Sequence, residues 1–166
     1  MDPDRIARFF GRLTFQQAVW LFPLAFALHI AEEWPQFTAW AQRYASPSFN
    51  RHDYLTVHLG GLVMAVLLAA LLSRWARSWA VFLFFAFVFT PGLLCNSLFH
   101  AGATARFGVY CPGLLTALTI YLPCYFFLSR LAYRERLLGP GSGAVAVVIA
   151  VVFHAAEVGH NVFKAW

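Results

Sequence analysis

Five long apolar stretches constrain the fold of this chain more than any other feature. Each has about 20 residues, the length that a helix needs to cross the hydrocarbon core of a bilayer. Only 11% of the residues are charged and 61% are hydrophobic, whereas a soluble domain has roughly 25% charged residues. The sequence therefore predicts an all-α polytopic integral membrane protein, a bundle of five transmembrane helices in a single domain, 1–166. The predicted spans are about 15–34, 54–72, 78–100, 110–131 and 143–163.

The distribution of basic residues predicts an orientation. Cytoplasmic loops carry an excess of Lys and Arg, and five spans put the two termini on opposite sides. With a cytoplasmic N-terminus, eight arginines lie inside: Arg5, Arg8, Arg12, Arg74, Arg77, Arg130, Arg134 and Arg136. Four basic residues then lie outside: Arg43, Arg51, Arg106 and Lys164. We therefore expect the N-terminus in the cytoplasm and the C-terminus outside.

All the histidines fall at one side of this predicted bundle. They are His29, His52, His58, His100, His154 and His160. Four of the acidic residues share that side, namely Glu32, Glu33, Asp53 and Glu157. Reversing the orientation moves both groups together, so the clustering does not depend on which side is outside.

Helical spacing brings several of these side chains onto common faces. In the stretch HIAEEWPQF, His29, Glu32 and Glu33 are related as i, i+3 and i+4, and therefore project from nearly one face. Asn96 and His100 are four residues apart, and HAAEVGHN repeats the pattern near the C-terminus. An ionisable group at the centre of a membrane helix costs about 2.5–3.5 kcal/mol on insertion scales. Ion pairing between His and Glu, or a divalent metal, can offset this cost.

We predict a metal site from this constellation. The proposed ligands are His29, Glu32, Glu33, His100, His154, Glu157 and His160, with Asn96, Asn161 and His58 beside them. Glu33 is also the candidate general base, because a carboxylate next to a metal can hold a bound water. The ligand types suit zinc or iron, and their number is enough for two ions. A polar network without any metal stays open as the structural alternative.

The stretch HIAEEWPQF resembles the HXXEE family, small bacterial membrane proteins named for this motif. The Asn96 and His100 pair and the stretch HAAEVGHN fit the same pattern late in the chain. The resemblance implies a membrane protein of the bacterial inner membrane and little chemistry, because the family has no established activity. The motif is also similar to the inverted HxxEH zinc pattern, but a Glu replaces its second His, so that chemistry does not carry over.

Three functions are compatible with such a site. The leading hypothesis is a membrane-embedded metal-dependent enzyme, a hydrolase acting on a lipid-like or hydrophobic small molecule. A di-iron oxidase, hydroxylase or desaturase is the second, and a non-catalytic metal or proton transporter or sensor is the third. We expect membrane lipid and no nucleic acid as partners. Homo-oligomerisation stays open, as does a disulfide between Cys95 and Cys111.

Overall fold

A computed structural model describes residues 11–164 of the chain. Within that range the secondary structure is helical and contains no strand, so the all-α prediction is confirmed. From residue 15 to residue 164 the chain forms seven helices: α1 Phe15–Ala18, α2 Leu21–Glu33, α3 Phe37–Tyr44, α4 Arg51–Arg74, α5 Ser78–Phe107, α6 Leu114–Arg134 and α7 Pro140–Asn161. Arg5 and Arg8, which support part of the predicted orientation, lie outside the described residues, and the orientation stays a prediction.

Four of these helices, α4 to α7, are long and apolar enough to cross a membrane. The prediction of five continuous spans is therefore wrong for the described residues, because the first span is broken between α1 and α2. Pro23 has no backbone N–H and cannot donate to the carbonyl of Val19 four residues earlier. That carbonyl accepts instead from the N–H of Phe22 at 3.1 Å, which closes a tighter turn. What remains is an α2 of 13 residues, about 20 Å long.

The broken segment nevertheless connects the two ends of the bundle. At its start, the N–H of Phe15 donates to Oε1 of Glu135, just beyond α6, at 2.8 Å. Near its end, the carbonyl of Ile30 accepts from the hydroxyl of Tyr54, in the first turn of α4, at 3.3 Å. The HIAEE motif consequently lies at the end of the bundle where α4 and α6 begin and where α5 ends.

Two of the long helices contain π-helical segments, one in the middle of α5 and one near the start of α6. Phe85–Cys95 within α5 is π-helical and contains Pro91, and Ala117–Tyr121 within α6 is π-helical and is followed by Pro123. A proline removes one donor from the helical ladder, and wider turns of this kind are frequent at functional sites. The hydroxyl of Ser97 links the two helices, since it lies within hydrogen-bonding distance of the carbonyls of Leu93 and Ala117, at 2.6 and 3.1 Å.

Aromatic packing fills the bundle on the other side of the motif. Phe89 is fully buried, and its ring lies 5.2 Å from Phe84, 4.8 Å from Phe85 and 5.4 Å from Tyr125, measured between centroids. Small residues of α7, Ala146 and Ala150, are buried where this helix packs on α5. Cys95, Cys111 and Cys124 are buried free thiols, so no disulfide joins Cys95 and Cys111.

We expect Phe89→Ala to lower the free energy of unfolding by about 3–5 kcal/mol, because truncating a buried Phe leaves a cavity. Reversible unfolding in mixed micelles titrated with a denaturing detergent measures the change. Phe126→Ala is the matched control, since Phe126 is 62% exposed on the same bundle and its truncation should cost far less. Equal losses for the two variants would contradict the assigned core.

Candidate functional site

A buried carboxylate, that of Glu33, forms the centre of the candidate site. Its Oε1 lies 3.5 Å from Nε2 of His29 and 3.3 Å from Nε2 of His100. Its Oε2 lies 2.8 Å from Nε2 of His58 and 3.3 Å from the hydroxyl of Tyr54. Glu33 is only 1% exposed. Side chains from α2, α4 and α5 therefore converge on one carboxylate inside the protein.

Three of these residues have the arrangement of a metal site. One potential ligand atom each from His29, Glu33 and His100 lies within 4.8 Å of the others, and all three residues are buried. The Nε2 atoms of His29 and His100 are buried, and the polar atom next to them among the described residues is Oε1 of Glu33, at 3.5 and 3.3 Å. Contacts of this length leave the ring nitrogens poorly satisfied, and imidazole with carboxylate is a donor set that zinc and iron accept.

The Nδ1 edge of the His29 ring is held by two successive hydrogen bonds, through Thr116 to Glu32. Nδ1 of His29 lies 2.8 Å from Oγ1 of Thr116, and that hydroxyl lies 2.5 Å from Oε2 of Glu32. Because the Thr116 proton goes to the carboxylate, its oxygen accepts from Nδ1–H of His29. Nε2 of the neutral ring then has a free lone pair directed toward Glu33. Partners of this kind orient histidines that ligate metals.

His100 is held on its far side by a cysteine. Nδ1 of His100 lies 3.3 Å from Sγ of Cys111, which is fully buried in the loop before α6. Burial raises the pKa of the Cys111 thiol, so the sulfur stays protonated and uncharged at neutral pH. Cys111 is therefore a neutral partner that orients the ring, and its buried thiol has no access to a substrate.

His58 makes the shortest contact with Glu33. Its Nδ1 lies 2.8 Å from the carbonyl of Tyr54, so Nδ1 is the donor. A neutral ring would then present a lone pair to a carboxylate oxygen 2.8 Å away, and two acceptors repel at that distance. A proton or a cation must lie between Nε2 and Oε2. The Tyr54 ring stacks on His58 with centroids 3.9 Å apart and fixes its plane.

Glu32, which the sequence pattern placed among the ligands, faces a different element. Its carboxylate accepts from the N–H groups of Gly113, Leu115 and Thr116 at 3.1, 3.2 and 2.7 Å. The hydroxyl of Tyr110 also donates to it. Partial burial, together with this contact, raises the pKa of Tyr110, so the phenol keeps its proton. Glu32 thus satisfies the free N–H groups at the start of α6, where a negative charge is favoured.

Gly113 is the point at which the loop before α6 packs most tightly on the cluster. It has a φ of 101°, and an added Cβ would lie 2.7 Å from Cε1 of both His29 and His100 and 3.0 Å from Cγ of Glu33. The loop before α6 therefore lies directly over the cluster, and only a residue without a side chain fits there.

The remaining predicted residues are not part of the three-donor group. His154, Glu157, Asn96 and Asn161 line a cavity of about 410 Å³ that Glu33 and His58 also border. Nδ1 of His154 lies 3.6 Å from Oε2 of Glu157. His160 is exposed and does not border this cavity, and His52 is exposed next to the cap of α4. The structure thus brings His29, Glu33, His58 and His100 together, and His154, Glu157 and Asn161 line the adjoining cavity.

Five residues of the site had no part in the predicted ligand set: Tyr54, Tyr110, Cys111, Gly113 and Thr116. The stretch Cys111-Pro112-Gly113 is a turn signal directly before an apolar span, and it marks the loop that closes over the cluster. Nothing in the sequence pairs Thr116 with His29, since they are 87 residues apart.

The fold and the site together define an all-helical protein with four membrane-span helices and a buried His–Glu cluster at one end of the bundle. The family model described as "protein of unknown function with HXXEE motif" matches residues 20–128, and the chain belongs to this family. The match includes every residue of the cluster and ends before α7, so HAAEVGHN lies outside it. No curated protein and no solved structure is similar enough to the chain to count as a match.

We expect Gly113→Ala to destabilise the protein much more than Gly108→Ala. Both glycines have a positive φ, 101° and 66°, but an added Cβ at Gly108 meets nothing within 4 Å. In the control, stability falls only by the cost of placing alanine in a left-handed backbone conformation, about 1–2 kcal/mol. Gly113→Ala must in addition displace two histidines and a carboxylate. Thermal unfolding in detergent compares them, and equal midpoints would show that the loop does not press on the cluster.

Proposed function

We propose that this protein is a membrane-embedded, metal-dependent hydrolase that acts on a lipid-like substrate. The observation that carries the proposal is the group of three buried donors, His29, Glu33 and His100, beside a cavity of about 410 Å³. Catalytic zinc sites commonly use three protein ligands and leave one position open for water or substrate. Glu33 borders the cavity, so the open side of the group faces the space where a substrate would bind.

The donor chemistry fits a divalent ion. Nε2 of His29, Nε2 of His100 and one oxygen of Glu33 would hold it, and the two rings already have partners at Nδ1. When bound, the ion would lower the pKa of a water molecule to about 7 and so supply a nucleophile at neutral pH. A cation would also compensate the carboxylate that the fold buries among apolar helices.

The pair formed by Glu33 and His58 would carry out the proton transfers of the reaction. Oε2 of Glu33 and Nε2 of His58 are 2.8 Å apart and need a proton or a cation between them. During hydrolysis of an ester or amide, hydroxide would add its oxygen to the acyl carbon, and the proton held between Glu33 and His58 would go to the departing alcohol or amine. Ionisation of the next water molecule would return a proton to the pair, so the site ends in its starting state.

One ion is proposed, because the donor groups found among the described residues amount to one set of three. A di-iron oxidase needs a second set, and His154 and Glu157 line the cavity without being part of the three-donor group. Passage of metal or protons finds less support, since beyond the motif the bundle interior is packed with aromatic rings such as Phe89. With the orientation that the arginines predict, the site faces the outside of a bacterial inner membrane.

Elemental analysis of the purified protein tests the metal. We expect close to one zinc or iron per chain in the wild type and a loss of most of it in His29→Ala, His100→Ala and Glu33→Gln. His52→Ala is the control, because it removes an exposed histidine at the same end of the bundle. Hydrolysis of p-nitrophenyl laurate should fall at least about a hundredfold in Glu33→Gln and on chelation. A wild type without any transition metal after reconstitution would refute the proposal.

Thr116→Val should weaken metal binding about 10- to 100-fold, because it removes the acceptor for Nδ1–H of His29 while it keeps the size of the side chain. Thr119→Val is the matched control one helical turn further along α6, where the hydroxyl bonds only to the carbonyl of Leu115 at 2.7 Å. Competition with a zinc chelator of known affinity measures both variants. If they bind metal alike, the relay through Thr116 does not orient His29.

A further inference from the structure

The cavity next to the cluster has both polar and apolar walls. Glu33, His58, His154 and Glu157 supply polar groups. The apolar walls carry phenylalanine rings from α2, α5 and α7, among them Phe26 and Phe87. A volume of about 410 Å³ is at the small end of the range for ligand pockets and fits one hydrocarbon chain better than two.

The cavity also has buried polar atoms without hydrogen-bond partners. Oδ1 of Asn96 is buried and accepts no hydrogen bond, and neither ring nitrogen of His154 has a hydrogen-bond partner. The His154 side chain is 12% exposed. Buried polar atoms are ordinarily satisfied, so a ligand that both donates and accepts hydrogen bonds would complete these contacts.

The charges around the cavity disfavour an anionic ligand. Glu33 and Glu157 contribute two carboxylates, and no Lys or Arg is among the residues that line it. Phosphate and carboxylate groups are usually recognised by such cations. Lys164, near the C-terminal end of the same region, forms an ion pair with Asp53 at 3.3 Å instead. With one divalent ion present, the two carboxylates are balanced, and a neutral ligand keeps that balance.

The cavity opens on the outer surface of the bundle between α4 and α7. These helices pack mainly on α2 and α5, respectively, and line opposite walls. Met64, Phe87 and Phe153 border the cavity and are 53%, 42% and 44% exposed. Gly60 also lines it, and an added Cβ there meets nothing within 4 Å. Because these residues are in the middle part of apolar spans, the opening faces lipid.

We infer that the cavity takes an uncharged single-chain amphiphile, an ester or amide with a hydroxyl or amide polar group, which enters from the bilayer between α4 and α7. The chain lies along the phenylalanine walls, and the polar group bonds to Asn96 and His154. This inference rests on the proposed function for the reaction, since the bond to be cleaved would lie beside Glu33. It concerns ligand charge and entry, which can be measured without turnover.

Binding of four amphiphiles that have alkyl chains of the same length tests which ligand charge the cavity prefers. Monolaurin, laurate, dodecyl phosphate and dodecyltrimethylammonium are each added to the protein in nanodiscs, and bound ligand is counted by native mass spectrometry. We expect monolaurin to bind at least about tenfold more tightly than the three ions. Equal or tighter binding of laurate, dodecyl phosphate or dodecyltrimethylammonium would overturn the inference.

Two variants test the entry of the ligand between α4 and α7 and its polar contact with His154. Gly60→Leu should block the opening and His154→Ala should remove the polar contact, each lowering monolaurin binding about tenfold or more while metal content stays at the wild-type level. Gly102→Leu is the control, because an added Cβ at Gly102 also meets nothing within 4 Å and the residue does not line the cavity. Wild-type binding in Gly60→Leu would overturn the proposed entry.

Metal content of the same samples separates the two proposals. Selective monolaurin binding by a protein without metal would refute the metal-dependent hydrolase and still support the inference on the ligand. Stoichiometric metal with no preference for monolaurin would refute the ligand inference alone.

Discussion

The burial of one carboxylate, that of Glu33, determines how this end of the protein is built. An unpaired charge inside a helical bundle of this hydropathy would cost several kcal/mol. The fold surrounds it with three imidazole rings and a tyrosine hydroxyl from α2, α4 and α5. Each ring has a further partner at Nδ1, so its Nε2 is directed toward Glu33. The hydroxyl of Tyr54 donates to the carboxylate, and a proton or a cation at the Nε2 atoms would complete the compensation of its charge.

The two glutamates of the motif have different tasks. Glu33 lies within the cluster, whereas Glu32 binds the first N–H groups of α6 and, through Thr116, the ring of His29. The start of α6 is thereby fixed over the cluster, at the position where Gly113 leaves just enough room. One turn of α2 thus both provides His29 and Glu33 to the cluster and positions the loop that covers it.

Prolines shape the path of the helices around this site. Pro23 interrupts the first segment, and Pro91 accompanies the π-helical part of α5, which borders the cavity. A straight α5 with regular turns would direct Asn96 and His100 differently, because each wide turn shifts the following residues around the helix axis. The cavity between α4 and α7 exists because these helices pack on α2 and α5 and not mainly on each other.

The sequence by itself determined the helical class, four of the five apolar spans and the gathering of histidines at one end, because hydropathy and helical spacing are local properties. It also placed His29, Glu33 and His100 in one candidate group, which the structure brings together. Tertiary structure alone decided that Glu32 binds the start of α6, that His58 contacts Glu33, and that His160 stays outside the cavity. It also decided that His154 lines that cavity. These outcomes depend on the rotation of each helix and on contacts across 80 or more residues, such as Glu32 with Gly113, which no local pattern encodes. The sequence also left open how Pro23 affects the first span, since a proline in a span can be accommodated by a kink or by a break, and the structure has a break between α1 and α2.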